Sequence, residues 1–489
     1  MLCVSIDIGS TWTKGAVFSL VDGELVLLQR RACPTTVDDL ARGFTELLVQ
    51  LLPLNSLDDV PALIHSGRVE LSYSSSAKGG LAVAALGLVP DITLETAKVA
   101  AYSAGAKLTQ VLSYKLTASD IRGLEASPPD ILLFAGGTDG GNTDYVLANA
   151  KALAASSLNC AMVYAGNRSV RDEVSDLLAH KDFIAVDNLL PTLDEPNPDP
   201  AREALRAIFL ARIVKGKGLD RIIAATGIEP WPTPFAVYEY TKAIRAHVPG
   251  WHEFVLLDMG GATTDVYSAH RESPTGGTVL RGLPEPDVKR TVEGDLGMRV
   301  SAASAFQTGK GLISAALAND PSEVTTFADY VASLATQPEH LPQDPQGQSF
   351  DALLAGACVA HACARHAGRS YEVYTPDGMV RVQLGRDLSQ VHKVIGSGGW
   401  LSKVAGFNPG AWLQKMAVDA KGKAVLVPTH IEYHRDSDYL FPLLANVAQA
   451  HPAAAARAGV RALVKARQAN DSHTLKVPDG IEQPAFEPG

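Results

Sequence analysis

The spacing of apolar and polar positions changes several times along the chain, and each change predicts an element. The run CVSIDIG is continuously apolar until it closes on Asp7 and Gly9, the pattern of a buried strand. TKGAVFSL and ELVLLQRRA follow as second and third strands after turns at Gly9–Thr11 and Asp22–Gly23, giving an antiparallel three-strand unit. Across 37–51 the apolar residues Leu40, Phe44, Leu47 and Leu48 recur at helical spacing. VELSYSS and GLAVAALGL read as further strands, and helices are expected over 93–107 and 118–123.

DILLFA, residues 130–135, is the strongest parallel-strand signal and runs into the glycine loop GGTDGG. A βαβ alternation follows: helix 142–155, strand CAMVYAG, helix 170–180 and strand KDFIAVDN. Prolines across 191–200 predict a surface loop, followed by a helix over 202–214 and a loop at GIEPWPTPFA. FVLLDMGGATTDVYSAH then repeats the design of VSIDIGSTWTKGAVFSL after about 250 residues. In both, a buried strand ends in Asp-x-Gly, a small polar turn follows, and a largely apolar strand leaves it. The echo predicts two related domains facing each other across a cleft.

Beyond it, breakers across 273–287 predict an exposed loop, and helices are expected over 296–308, 324–336 and 350–367. YEVYTPDGMVRVQLG reads as a hairpin turning at Asp377–Gly378, and HKVIGSGGWL as a strand into another glycine turn. A helix over 453–466 precedes a frayed end.

The 489 residues suffice for two large domains or three smaller ones, and 46% hydrophobic against 20% charged residues is ordinary globular usage. With 43 Lys+Arg against 53 Asp+Glu and no basic block, the chain does not read as a nucleic-acid binder. The absence of an 18-residue apolar run and of a basic leader argues against a membrane span or secretion, so the cytoplasm is the expected location. The five cysteines form no CxxC pair, which fits that placement. Cys358, Cys363, His361 and His366 crowd the stretch ACVAHACARHAG, where a packed Ala-rich helix outweighs a zinc site because the ligands fall on different facets.

Asp7, Gly9, Ser10, Thr11 and Lys14 place a carboxylate at a strand end, followed by N–H groups and hydroxyls able to cradle phosphoryl oxygens. Asp258, Gly260, Gly261, Thr263 and Thr264 offer the matching half, so that a triphosphate and its metal would lie between Asp7 and Asp258. Gly136, Gly137, Thr138 and Asp139 form a third loop, at the kind of position where open sheets bind ligands; Asp139 is a candidate to order the attacking water, and Asn142 to cap the next helix. Gly396, Ser397, Gly398 and Gly399 would let backbone approach an adenine or ribose. Glu293 and Asp295 could meet ribose hydroxyls or a metal-bound water, with Asp295 as a helix N-cap the alternative. GxxxxGK[ST], GxSxG and HExxH are all missing, which leaves Walker-type, serine-hydrolase and zinc-protease readings without a motif.

The order of these turns resembles the actin, sugar kinase and heat-shock ATPase superfamily. DIGSTWTK, ILLFAGGTDGGN, LLDMGGATTDVYS, EGDLGMR and VIGSGG resemble, more narrowly, the MutL family associated with glutamate mutase, distinct from the mismatch-repair protein of the same label. The likeness spans about residues 1–450, and AGGTDGGN is its most specific part. It implies an α/β, duplicated actin-like ATPase fold of ribonuclease H-like domains with a nucleotide cleft between them. The expected division is 1–250, 251–450 with inserted helical segments, and a C-terminal helix and tail over 451–489. Implied cofactors are ATP and Mg2+, with Asp7 and Asp258 toward the metal, and Gly396 to Gly399 toward the nucleoside. The implied role is an accessory or reactivating factor for an adenosylcobalamin-dependent mutase, with homo-oligomerisation left open. A small-molecule kinase and a nucleotide-gated binding protein without turnover stand as alternatives. The cobalamin signature DxHxxG is missing, so cobalamin would belong mainly to the partner.

Overall fold

In the computed structural model, residues 1–465 are described, except 53–58, 77–81, 104–105, 194, 215–217, 274–275, 283, 335–336, 338–339 and 377. The first apolar run folds as expected. β1 (Leu2–Ile8) pairs antiparallel with β2 (Trp12–Val21), β2 with β3 (Glu24–Pro34), and β4 (Val69–Ser75) lies parallel to β1 on its other side. The register sets Asp7 opposite Lys14. Helix Leu40–Leu51 covers this sheet with Phe44, Leu47 and Leu48, which join Val4, Ile6 and Tyr73 in one core. Each such side chain contributes about 1.5–3 kcal/mol on leaving water. The helix starts later than 37 because Asp39 caps it, accepting the Ala41 N–H at 3.2 Å.

A second sheet is wholly parallel. Its strands β5 (Ala82–Gly87), β6 (Lys107–Ser113), β7 (Ile131–Phe134), β8 (Ala161–Tyr164) and β9 (Phe183–Ala185) run in the order β6-β5-β7-β8-β9. The alternation that starts at DILLFA holds, with helices Asp144–Ala155 and Arg171–Leu178 between strands. β6 corrects the expected helix over 93–107: the helix is only Glu95–Ser103, and Lys107 opens a strand. As an edge strand with only partly covered side chains, KLTQVLS lacks the apolar run that marks β7. The helix expected over 118–123 extends from Ala118 to Ala126 behind a Thr117–Asp120 capping box. Gly80 and Leu81 of GLAVAALGL lie outside the described residues.

Helices Asp199–Val214 and Leu219–Thr226 lead to β10 (Trp231–Pro232), which pairs with β4. Here the structure departs most from the sequence reading. GIEPWPTPFA is not only a loop, since it opens helix Thr233–His247. Pro232 precedes that helix and Pro234 lies in its first turn, where the missing N–H would be unpaired in any case.

The second hairpin is β11 (Phe254–Met259) with β12 (Thr264–Ala269). The stretch expected as open loop contains β13 (Thr278–Arg281), and β14 (Val288–Glu293) follows unforeseen beside β12. β15 (Arg369–Thr375) and β16 (Gly378–Leu384) form the expected hairpin; Asp377 at its turn is outside the described residues. Strands β17 (Lys393–Ser397), β18 (Ala424–Val425), β19 (Glu432–Arg435) and β20 (Val464–Lys465) complete the set. A small sheet has the order β13-β16-β15-β18, and the large C-terminal sheet β14-β12-β11-β17-β19-β20.

The helix expected over 296–308 lies instead at Ala302–Ala316, because residues 296–301 form a brace beside the second hairpin. The helices expected over 324–336, 350–367 and 453–466 are Pro321–Leu334, Pro345–His366 and Pro452–Ala462, the last ending before 466, which is outside the described residues. Cys358 and Cys363 are core residues of Pro345–His366, and burial pushes both thiols up to about 12.

The series β3-β2-β1-β4-β10 and β14-β12-β11-β17-β19 have the same order and the same senses of pairing: three antiparallel strands, then two parallel additions. This duplicated order is the actin-like arrangement. Between the two sheets, helices Thr233–His247, Phe441–Val447 and Pro452–Ala462 share a core with Cys3, Phe18, Phe254 and Tyr267. Helix Phe441–Val447, which follows β19, is fastened to β1. Ser5 Oγ donates to Leu443 O at 2.7 Å, and Asn446 Nδ2 donates to Ile6 O at 3.0 Å.

Candidate functional site

The two hairpins close by the same hydrogen bond. Gly9 N–H donates to Trp12 O at 3.1 Å, and Gly260 N–H donates to Thr263 O at 2.9 Å. Each turn leaves the C-terminal end of its first strand one residue beyond an aspartate, and Ser10 and Thr11 are exposed on the first. In register, Lys14 stands opposite Asp7 and Asp265 stands opposite Asp258. The duplication therefore puts a cation and an anion at equivalent positions.

Asp7 is 1% exposed and accepts from Thr233 Oγ1 at 2.7 Å and Ser74 Oγ at 3.2 Å. Burial nevertheless raises its pKa, against the opposing pull of Lys14 and these two hydroxyls. Asp258 is raised to about 7, first by burial and then by Asp265, with Lys14 opposing and Asp7 and Asp436 adding to the rise. Lys14 lies within electrostatic reach of Asp7, Asp258 and Asp436; burial lowers its pKa and the three carboxylates counter this. Lys14 thus has three carboxylates and a second ammonium, Lys403, within electrostatic reach, and a divalent cation would add positive charge beside the carboxylates.

The second turn is braced from behind. Met298 N–H donates to Gly260 O at 3.1 Å, Arg299 N–H to Gly261 O at 2.8 Å, and Ser301 Oγ to Ala262 O at 2.7 Å. Gly297 must be glycine, because a Cβ there would lie 2.5 Å from Ala262 C. Thr264 Oγ1 donates to Leu296 O at 2.7 Å, and Thr263 Oγ1 to Asp265 at 3.2 Å. Glu293 and Asp295 are both held by Arg365, at 2.7 and 2.6 Å. That contact holds Asp295 below the usual carboxylate range, while burial raises Glu293. The N-cap alternative for Asp295 is overturned: helix Ala302–Ala316 starts behind Ser301, and Asp295 instead accepts from Thr308 Oγ1 at 3.0 Å.

The glycine loop of Gly136, Gly137, Thr138 and Asp139 follows β7 in the wholly parallel sheet, not the sheets of Asp7 and Asp258. Asp139 accepts from Arg168 N–H at 2.9 Å and from Asn188 Nδ2 at 2.8 Å. Asn188 also donates to Gly137 O at 3.1 Å, while Asn167 accepts from Gly140 N–H at 3.0 Å. The N-cap of the next helix is Thr143, not Asn142 as expected; Asn142, one residue earlier, accepts from Tyr145 N–H at 2.9 Å.

Gly396 to Gly399 lie at the end of β17, whose Ser397 pairs with Asp258 of β11. Gly398 has φ +95°, and a Cβ there would meet Met259 O at 2.2 Å, so the loop lies hard against the second hairpin. Sequence reasoning missed the segment that joins this loop to Lys14. Asp436 is 2% exposed; its carboxylate accepts from Ser397 Oγ at 3.0 Å, Leu440 N–H at 2.7 Å and Phe441 N–H at 3.0 Å. Tyr439, three residues on, sets its ring over the Lys14 ammonium, 3.4 Å from centroid to Nζ. An acid just after a β-strand and just before the apolar run LFPLL was the available signal for a capping residue.

Among the described residues no three His, Cys, Asp or Glu side chains converge as a metal-ligand group, and no helix is long and apolar enough to cross a membrane. A cavity of about 390 Å³ is lined by Phe18, Leu25, Leu440 and Arg461, away from the turns.

Duplicated strand order and two matched Asp-x-Gly turns define a protein of the actin-like ATPase fold class. The chain belongs to the MutL family, described as MutL protein, which matches residues 3–463. It is 36% identical over 473 residues to Protein MutL of Clostridium tetanomorphum, covering 94% of this chain and 98% of that protein. Among solved structures it is similar to a chain of the PilM–PilN type IV pilus biogenesis complex (12% identity, TM-score 0.29, 94% and 98% of the two chains). It is also similar to the Ppx/GppA family member of Aquifex aeolicus (10% identity, TM-score 0.28, 94% and 89%).

Proposed function

We propose that the chain is an ATP-binding accessory factor of an adenosylcobalamin-dependent mutase, with the nucleotide held between the turns that follow Asp7 and Asp258. The observation that carries this reading is the matched pair of turns, with Lys14 beside the first within electrostatic reach of Asp258 at the second. The hydroxyls and N–H groups of Ser10 and Thr11 and the N–H of Gly261 would receive phosphate oxygens, and Lys14 would meet their charge. Gly396 to Gly399 would face the nucleoside.

The residues present fit a magnesium ion. Asp7 and Asp258 are carboxylates at equivalent strand ends, within electrostatic reach of each other and of Lys14. With no ready-made ligand group among the described residues, they would hold the ion through water, as magnesium commonly requires. The ion would neutralise phosphate charge; the chain's own residues would position the phosphates and bring the two hairpins together.

Units of about residues 1–250 and 251–450 would close on ATP and reopen after its loss, with 451–489 beyond them, and this motion would loosen a mutase subunit. The family resemblance supports the partner. The bonds from Asp139 to Arg168 and Asn188 favour a second reading, nucleotide-gated binding with little turnover, because the candidate for ordering water is committed elsewhere. Phosphate release with and without a cobalamin mutase separates the two: release stimulated by the mutase supports the reactivating role, and ATP binding without release supports gating alone.

A further inference from the structure

We propose that Tyr439 is a positioning residue that holds Lys14 for a phosphate group between the two turns; this rests on the nucleotide reading above. Lys14 comes from β2, whereas Tyr439 comes from the segment after β19. Their contact, 3.4 Å from Nζ to ring centroid, therefore joins the N-terminal hairpin to the C-terminal half of the chain.

The backbone at Tyr439 has φ +52°, a left-handed conformation that is costly for a bulky side chain. A turn alone would be served by glycine or asparagine at lower cost. The surroundings fix this conformation. Tyr439 N–H donates to Asp436 O at 3.0 Å, and Asp436 N–H donates to Gly396 O at 3.0 Å. The Asp436 carboxylate meanwhile ties down Leu440, Phe441 and Ser397. The ring is thus fastened to the loop that would face the nucleoside.

Its chemistry suits Lys14. On its flexible stem the ammonium has Asp7, Asp258 and Asp436 within electrostatic reach, and a hydrogen bond to any one of them would draw it to one side. An aromatic face attracts the cation without supplying a conventional acceptor, so the N–H donors turned away from the ring stay free for phosphate oxygens. Tyr439 shares the surroundings of the same three carboxylates.

The test is calorimetric titration of Mg·ATP into the full chain as wild type, Y439F, Y439L, K14M and K14M/Y439L, with thermal unfolding of each. Y439F keeps the ring face and is expected to bind within about twofold of wild type; Y439L keeps bulk but not the face and is expected to bind about tenfold more weakly. K14M/Y439L is expected to bind no more weakly than K14M, because Tyr439 acts through Lys14. Y439L binding as tightly as Y439F, or losses that add in full in the double variant, would overturn the role of Tyr439 while leaving the nucleotide site standing. A folded wild type that binds no Mg·ATP would overturn the nucleotide reading itself, and this proposal with it.

Discussion

Asp7 and Asp258 occupy the same position in two copies of one turn, each at the end of a central strand and each followed two residues later by the glycine that closes the hairpin. They differ in what faces them, Lys14 in one copy and Asp265 in the other. Burial first, and Asp265 second, raise the pKa of Asp258 to about 7, while Asp265 is itself paired with the Arg290 guanidinium at 2.9 Å.

A pH dependence follows. Asp258 titrates near 4 when unfolded and at about 7 when folded, so the folded state binds the extra proton between these values. The contribution of Asp258 to the stability of the nucleotide-free protein is therefore expected to fall as pH rises from about 4 to about 7; Asp7, Asp436 and Glu293, also raised, act in the same direction, and Asp295, held low by Arg365, in the opposite one. D258N removes its share of this slope. Urea unfolding across that range checks it, and a wild-type slope no steeper than that of D258N would contradict the assignment.

Gly398 and Gly399 separate backbone need from mere loop composition. G398A forces a Cβ into a left-handed position against Met259 O, and is expected to cost about 1–3 kcal/mol and to weaken nucleotide binding. At Gly399 an added Cβ meets nothing within 4 Å, so G399A is expected to stay within about 0.5 kcal/mol of wild type. Equal melting temperatures for the two variants would argue against the tight packing of this loop on β11.

Arg299 and Asp351 form a buried bidentate pair at 3.0 and 2.7 Å, with Tyr330 donating to the same carboxylate at 2.7 Å. Arg299 also lies directly behind the second turn, through its N–H to Gly261 O. R299M leaves a buried carboxylate without its cation and is expected to cost about 3–5 kcal/mol. R299M/D351L should regain much of that loss in chemical denaturation, whereas an additive double variant would mean that the pair does not act as a unit.

The sequence made the hairpins legible because a buried strand, an Asp-x-Gly turn and a second apolar strand leave a strong local pattern in both copies. The βαβ run after Ile131 was legible for the same reason: β7 and β8 are buried on both faces and read as unbroken apolar runs. Helix Thr233–His247 was hidden by Pro232 and Pro234, which look like breakers but suit a helix start. β6 and β13 were missed because edge strands keep polar positions, and their pairing is decided by distant partners. Of the candidate site, Asp7, Lys14 and Asp258 are brought into one electrostatic cluster, whereas Asp139 lies in another sheet. Asp436 and Tyr439 could not be read as partners of Lys14, since more than four hundred residues of chain separate them.

The most direct measurement is calorimetric titration of ATP with magnesium into wild type, D7N and D258N at one pH above 7. One site is expected in the wild type and a loss of at least tenfold in affinity in each variant, with both variants still folded, because the carboxylates act on one bound nucleotide from two halves of the chain. Undiminished binding in either variant, or no binding by the folded wild type, would contradict this shared site.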